Sequence, residues 1–428
     1  MKNLFLIVLF VFGTHATGRF NLFDFSNFFG INSPTTTPPS TNLKYVGGLK
    51  KLGLVNVVGF NNNECLAKDG GRGKCTTAPM CKELGGIPSG TCADGYGICC
   101  IVQRTCQGSI NTNSTYFVNP GYPNSFGSTG QCTVTLNRER PNICQIRLDF
   151  EVFSLAQPDV SEHRCVFDRF EVSGTVNQIP AICGDNPGQH MYLHIGFGEK
   201  PAQINILTSQ PLGLTFPPSR NWRIFTTQIP CDYTNAGLLT DKGAQLQAPP
   251  GCLQYYTGFS GRIKSFNFNF DTLSPTSSRQ LSNQQYTICV RQESGYCGIR
   301  YRVCQDPVNA PPGLGFSLGP NTVPAVSATD GGCVSDYITI PCASDTYGSP
   351  INLNNGGNPS VCAQRLCGQI FSSVAGRAIP SDVYSTSSPF EIRYYTDNVE
   401  ASAGEQGNLG FCLNYKQQMC SSTSNQIP

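Results

Sequence analysis

From Cys144 to Phe153 the chain reads Cys-Gln-Ile-Arg-Leu-Asp-Phe-Glu-Val-Phe, with an apolar side chain at every second position from Ile146. Successive side chains of a strand point to opposite faces. Ile146, Leu148, Phe150 and Val152 are therefore expected to line one buried face while the residues between them meet solvent. Upstream, Asn119-Pro120-Gly121-Tyr122-Pro123 can only be a turn, because its prolines lack a backbone donor and its glycine tolerates positive φ. Cysteines bracket the strand on both sides, Cys106 and Cys132 before it, Cys165 and Cys183 after it. Everything else in the chain is read around this cross-linked sheet segment.

A length of 428 residues exceeds one sandwich and suits two or three modules. Charged residues make up only 13% and the net charge is +2. No basic stripe is visible along the sequence, so nucleic acid is not an expected partner. The opening Met1-Lys2-Asn3, the apolar run Leu4 to Phe12 and the small residues Thr14, Ala16 and Gly18 predict a signal peptide over residues 1–18. That run is too short to span a bilayer, no later segment is long and apolar enough, and the polar tail ending at Pro428 argues against a lipid anchor. The reading is a soluble secreted protein, in which the 22 cysteines are structural disulfides.

Residues 19–63 contain no cysteine, carry the Pro/Thr-rich run Ser33 to Thr41 and show no sustained period. They read as an extended spacer open to O-glycosylation, with Phe20 to Phe29 as an alternative docking segment. Residues 64–100 then hold six cysteines, Cys65, Cys75, Cys81, Cys92, Cys99 and Cys100. So short a segment cannot bury a self-sufficient core, and bridges must stabilise it. The five-residue gap between Cys75 and Cys81, the Cys-Cys end and the glycines resemble an arthropod clip domain; the alternative is a generic small disulfide knot. The clip resemblance implies the pairs Cys65 with Cys99, Cys75 with Cys92 and Cys81 with Cys100.

The Asn-Pro-Gly-Tyr-Pro turn, the Leu148-x-Phe150 strand, Cys165-x-x-Asp168 and Cys183-Gly184, in that order, resemble a CUB domain spanning residues 104–228, closed by Asn221-Trp-Arg-Ile-Phe225. The resemblance implies the bridges Cys106 to Cys132 and Cys165 to Cys183. Across residues 229–420 the marks return in a looser form. Gly261 to Phe268 stands in the place of the early turn, Cys333-Val-Ser-Asp336 echoes Cys165-Val-Phe-Asp168, and Cys367-Gly368 echoes Cys183-Gly184. Pro307 to Gly332 and Ser344 to Ser360, rich in Asn, Gly, Pro and Ser, are expected to be long loops. The fold class expected is all-β: two CUB-like jelly-roll sandwiches preceded by a small disulfide-rich clip-like knot. The layout resembles secreted insect CUB domain-containing proteins with an N-terminal clip-like knot.

Chemistry-bearing motifs are sparse. Gly315-Phe-Ser317-Leu-Gly319 matches a nucleophile elbow, but the last histidine, His194, lies upstream, and the segment sits in a Pro/Gly loop. His190 and His194 share one strand face without an evident third metal ligand. No catalytic constellation emerges, and no enzyme activity is expected. CUB resemblance also implies a calcium site built on the Asp of Cys-x-x-Asp, an upstream Glu and an acid in a later loop. The first module offers Asp168, with Asp159 in place of the Glu, and no acid around Thr208-Ser209-Gln210, so calcium is not expected there. The second offers Asp336 and Asp397, with Asp330 in place of the Glu, as the one candidate calcium set. Asn113-Ser114-Thr115 is the single N-glycosylation sequon, because proline disqualifies Asn358-Pro359-Ser360.

Once the knot has taken six cysteines, residues 104–228 hold five and residues 229–420 hold eleven. Both counts are odd, so one bridge is expected to cross the boundary, with Cys144 and Cys231 as its ends and a fixed relation between the sandwiches as its consequence. The function implied is a secreted, non-enzymatic recognition or adhesion protein that binds extracellular protein partners through CUB loops, in humoral immunity or matrix. The alternative is a decoy or inhibitor of extracellular serine proteases acting through the knot.

Overall fold

A computed structural model describes residues 64–196, 200–210, 219–231, 246–270, 279–305, 315–349, 351–353, 359–401 and 407–420. The expected signal peptide and spacer lie outside the described residues. The chain divides into two compact units, one ending at Val102 and the other beginning at Gln103.

The first unit is the knot. Its elements are β1 (Glu64–Leu66), β2 (Arg72–Thr76), α1 (Ala78–Glu83), β3 (Ile87–Cys92) and β4 (Gly97–Arg104). β2 and β3 both pair antiparallel with β4, and β1 pairs with β2. The Thr77 hydroxyl accepts the N–H of Met80 and so starts α1, a side-chain cap on an otherwise orphan donor. Bridges join Cys65 to Cys99, Cys75 to Cys92 and Cys81 to Cys100, with Cα–Cα separations of 5.8, 5.9 and 5.6 Å. Gly86 has to be a glycine, since a Cβ there would lie 2.3 Å from Sγ of Cys100.

The second unit begins with a sandwich of β5 (Gly108–Ile110), β6 (Thr115–Val118), β7 (Gly130–Leu136), β8 (Ile143–Ser154), β9 (Asp168–Ser173), β10 (His190–His194), β11 (Ala202–Thr208) and β12 (Asn221–Pro230). One sheet runs β6-β12-β8-β10 and the other β5-β7-β11-β9. Asn119 anchors the early turn: its Oδ1 accepts the Trp222 N–H and its Nδ2 donates to the carbonyls of Pro120 and Asn124. The alternating segment is β8, but its phase is not constant. Ile146, Leu148 and Phe150 are buried, whereas Val152 is half-buried and Phe153 takes the next core position. The reason is a β-bulge: Ile224 pairs with Phe150 and Arg223 with Val152, which leaves Glu151 as the extra residue and reverses the alternation beyond it.

A second sandwich follows with β13 (Cys252–Tyr256), β14 (Ser260–Lys264), β15 (Gln285–Val290), β16 (Tyr296–Val303), β17 (Phe316–Ser317), β18 (Ser327–Thr329), β19 (Tyr337–Ala343), β20 (Ile351–Leu353), β21 (Pro359–Val361), β22 (Ala363–Gly368), β23 (Val383–Ser385), β24 (Phe390–Tyr395) and β25 (Gly410–Met419). Its sheets are β13-β15-β24-β19-β22-β18 and β14-β25-β16-β23, the latter with β17 on β25. Three expectations need correcting. Gly261 to Lys264 belongs to a strand, with the turn only at Ser265 to Phe268, and the two long loops contain β17, β18 and the β20–β21 hairpin. Five bridges hold the sandwich: Cys252–Cys289, Cys297–Cys420, Cys304–Cys412, Cys333–Cys367 and Cys342–Cys362. No helix among the described residues is long and apolar enough to cross a membrane.

Candidate functional site

The two sandwiches share one continuous apolar core, which runs from Ile110 and Trp222 through Phe150 and Phe266 to Ile392 and Tyr415. Around this core lies a set of polar contacts that joins specific backbone groups across the junction. The Gln145 side-chain amide donates to the Ala248 carbonyl at 2.7 Å and accepts the Ala248 N–H at 3.0 Å, as a neighbouring strand would. His190 Nε2 accepts the Tyr255 N–H, and His194 Nε2 donates to the Cys252 carbonyl at 3.3 Å. Gln189 donates to the Ser265 carbonyl at 3.1 Å, and Asn186 Oδ1 accepts the Asn267 N–H at 2.7 Å. The histidine pair on β10 therefore joins the sandwiches, with both Nε2 atoms engaged by backbone groups of the second. Burial, with the positive charge of Arg147, pushes His190 down to about 3, and burial lowers His194 as well. Both rings are neutral acceptors or donors at pH 7.

A third histidine, His163, reaches the same junction from the loop before β9. Its carbonyl accepts the Ser282 N–H at 3.1 Å, and its Nδ1 lies 3.5 Å from Glu400 Oε2. The distance alone suggests an ion pair. Burial and the positive charge of Arg279 push His163 down to about 4, so the ring is neutral and the contact is not ionic at pH 7. Glu400 Oε2 and Asp336 Oδ2 both accept from Gln280 Nε2, at 2.7 and 2.6 Å. Gln280 and Glu400 carry no sequence signal, because nothing in a one-dimensional pattern places them beside the Cys-x-x-Asp aspartate.

Beside the junction a cleft of about 580 Å³ opens on the outer face of the six-stranded sheet. The loop between β9 and β10 supplies Asn177 and Gln178, and the sheet supplies Tyr337, Arg365, Arg393 and Tyr395. Asn177 is fixed in place by its Nδ2–H to the Tyr192 carbonyl and by the His194 N–H to its Oδ1. Tyr337 and Tyr395 pair in register and stack at 5.2 Å, and the Arg365 guanidinium lies 4.5 Å over the Tyr337 ring. A second hollow, lined by Gln178, Gln284, Tyr395 and Asp397 among others, continues it.

The remaining predicted site residues have structural roles. Asp168 is fully buried against Arg220, which donates from Nε at 2.6 Å and Nη2 at 2.8 Å. A guanidinium thus engages both oxygens of the Cys-x-x-Asp carboxylate in the first sandwich. Burial on its own would raise the Asp159 carboxyl, but N–H groups of Glu162, Arg164 and Ser161 and the Ser161 hydroxyl hold it below the usual range as a turn cap. The second-sandwich acids do not converge. Asp330 accepts the N–H groups of Gln364 and Arg365, Asp397 Oδ1 accepts that of Val399, and Asp336 receives Gln280 Nε2–H and the Asp397 N–H. Calcium takes six to eight oxygens. Each Asp336 oxygen accepts a donor proton, and no cluster of three or more metal-ligating side chains exists among the described residues. Ser317 lies on β17 and donates to Asn408 Oδ1 at 2.8 Å, so the strand-to-helix turn of an elbow is absent there. Asn113 Oδ1 accepts the N–H groups of Ser114 and Gln228.

Bridges join Cys106 to Cys132, Cys165 to Cys183, Cys333 to Cys367, and Cys144 to Cys231 with Cα atoms 5.7 Å apart. The last does not cross between sandwiches. β12 extends to Pro230, and the Cys231 N–H bonds to the Asn142 carbonyl, so Cys231 belongs to the first sandwich and the boundary falls after it. The cysteine counts on either side are then even, and the fixed relation between sandwiches comes from the junction instead.

Residues 249–418, the second sandwich, match the animal CUB domain family. No curated protein matches the chain. Similar solved structures include the CUB1-EGF-CUB2 domains of rat MASP-1, 15% identical over 72% of this chain and 99% of that one with a TM-score of 0.23. The corresponding domains of human MASP-1/3 are 14% identical over 71% and 98%, with a TM-score of 0.22. The full extracellular region of zebrafish Gpr126/Adgrg6 is 11% identical over 76% and 38%, with a TM-score of 0.25. The CUB assignment rests on the family match to the second sandwich.

Proposed function

We propose that this chain is a secreted, non-enzymatic protein that binds an extracellular protein partner through a surface built jointly by both sandwiches. The observation carrying this reading is the cleft in which Asn177 and Gln178 of the first sandwich border the Tyr337, Arg365, Arg393 and Tyr395 face of the second. Arginine and tyrosine are the residue types that dominate protein-binding surfaces, and a rigid stacked pair loses little entropy on binding. Eleven bridges with no free cysteine among the described residues fit an oxidising compartment, with humoral immunity or matrix as the setting. The test is capture from body fluid on the full chain and on a Tyr337→Ala, Arg365→Ala variant, with the bound proteins identified by mass spectrometry. Proteins retained by the first and lost from the second support the reading; an unchanged set overturns it.

A second reading, protease regulation through the knot, is favoured by the exposed apolar side chains Leu66, Ile87 and Tyr96 on that unit. Capture of a serine protease that is lost on Leu66→Ser, Ile87→Ser and retained on the cleft variant would select it.

A further inference from the structure

The sheet β14-β25-β16-β23, on the other side of the second sandwich, carries a concentration of positive charge that the proposed protein-binding cleft does not use. Its inward positions, Ile263, Leu413, Tyr415, Ile299, Tyr301 and Val303, are buried. Its alternate, outward positions include Arg262 and Lys264 on β14, Lys416 on β25, and Arg300 and Arg302 on β16. Register places them side by side: Arg262 and Arg302 both pair with Asn414, and Lys416 pairs with Arg300. Arg262 Nε donates to Asn414 Oδ1 at 3.2 Å, and the nearby Arg262 charge, after burial, lowers Lys264.

Among the described residues one acid answers these five cations. Asp382 bonds Arg302 through both oxygens, at 2.6 and 2.7 Å, and Arg300 at 3.5 Å. Arg262, Lys264 and Lys416 have no acid within bonding distance among the described residues. Five cations against one acid leave an excess of four positive charges among the described residues of this sheet face, in a chain whose net charge is only +2. Adjacent strands are about 4.8 Å apart and same-face neighbours along a strand about 6.8 Å apart, so the cations form a closely spaced grid.

We propose that this face binds a linear sulfated polysaccharide of the glycosaminoglycan class. The grid offers multiple charge contacts to a repeating polyanion. The named outward positions present no large aliphatic side chain for insertion into hydrocarbon, as a peripheral membrane site requires. The cations leave no apolar centre between them as a protein interface has, and the aromatics of this face, Tyr384 beside Arg300 with Tyr347 packed on it at 6.1 Å, form one pair at the β23 edge and not the row that single-stranded nucleic acid uses. The disulfide content places the chain where sulfated polysaccharides occur.

The test passes the full chain over immobilised heparin, with Arg262→Ser, Lys264→Ser, Lys416→Ser as the variant and Arg365→Ser, Arg393→Ser on the opposite sheet as the control. The expected result is retention of the parent and control at 0.15 M NaCl and elution at higher salt. The triple variant should bind about tenfold or more weakly, with the slope of log K against log salt flattened by about two to three. All three changes are at exposed or half-exposed sites, so an unchanged thermal midpoint should accompany the loss. No retention of the parent, equal retention of the triple variant, or binding of hyaluronan or phosphatidylserine vesicles as tight as that of heparin overturns the proposal.

Discussion

His190 of the first sandwich accepts the backbone N–H of Tyr255 of the second at 3.0 Å, so a side chain of one module ends a strand hydrogen bond of the other. Asn177, bonded to the next strand residues, holds a cleft wall at the same junction. What fixes the composite surface is thus a neutral histidine and a set of amides.

That neutrality sets a pH dependence. The folded His190 titrates at about 3, below the roughly 6.5 of an unfolded chain, with Arg147 adding to burial while Asp149 and the Tyr255 bond act in the opposite sense. Its contribution is therefore complete above pH 6.5 and lost as pH falls toward 3. His163 and His194 act in the same direction. Thermal unfolding between pH 6.5 and 4 should show a stability loss of up to about 1.4 kcal/mol per pH unit for each of His190 and His163, with His194 adding in the same direction. In His190→Gln, whose amide oxygen can accept the Tyr255 N–H, the slope should flatten; parallel profiles for parent and variant would contradict this account.

Asn267 supplies the densest part of the junction. Its Oδ1 accepts the Asp185 N–H at 2.9 Å, and its Nδ2 donates to Gln157 Oε1 and the Arg279 carbonyl. Gly184 makes room for it: a Cβ there would lie 2.0 Å from Asn267 Oδ1, at a φ of +69°. Asn267→Ala should cost about 2–3 kcal/mol, as buried partners lose their bonds, and Gly184→Ala should cost about 1–3 kcal/mol through strain and displacement of the amide. Denaturant melts of both variants check this, and a change below about 0.5 kcal/mol in Gly184→Ala would show that the contact is not tight.

The buried pair Asp168 and Arg220 gives an asymmetric expectation. Asp168→Ala leaves an uncompensated guanidinium and should cost about 3–5 kcal/mol, while the double variant Asp168→Leu, Arg220→Met should lose much less. Equal losses in the two would mean that shape, and not charge, dominates the site.

The strand around Leu148 and the turn at Asn119 were legible in the sequence because each is a local pattern whose periodicity or proline content permits one reading. The Glu151 bulge was not, since it depends on how β12 pairs with β8, about 70 residues later in the chain. The junction was hidden for a related reason: Asn186 and Asn267 meet across 81 residues, and neither lies in a patterned segment. The basic face escaped notice because its cations come from three strands at alternate positions, never as a run. The Cys144–Cys231 bridge was derived from counting, and its partners stand bonded, but the boundary used for the count fell three residues too early.

That shift changes what the bridge does, and the change is measurable. Cys144 and Cys231 close a span of 87 residues within the first sandwich. In the chain-entropy picture, removing such a link costs about 4–5 kcal/mol. Cys144→Ser, Cys231→Ser should therefore lower the unfolding midpoint strongly, yet leave the sandwiches docked, because His190, Gln145 and Asn267 still join them. Small-angle scattering at a temperature well below the new midpoint should give an unchanged radius of gyration. In a variant carrying Gln145→Ala, His190→Ala and Asn267→Ala with the bridge intact, the radius should increase as the sandwiches separate. Expansion in the cysteine variant but not in the junction variant would assign the rigid relation to the bridge after all.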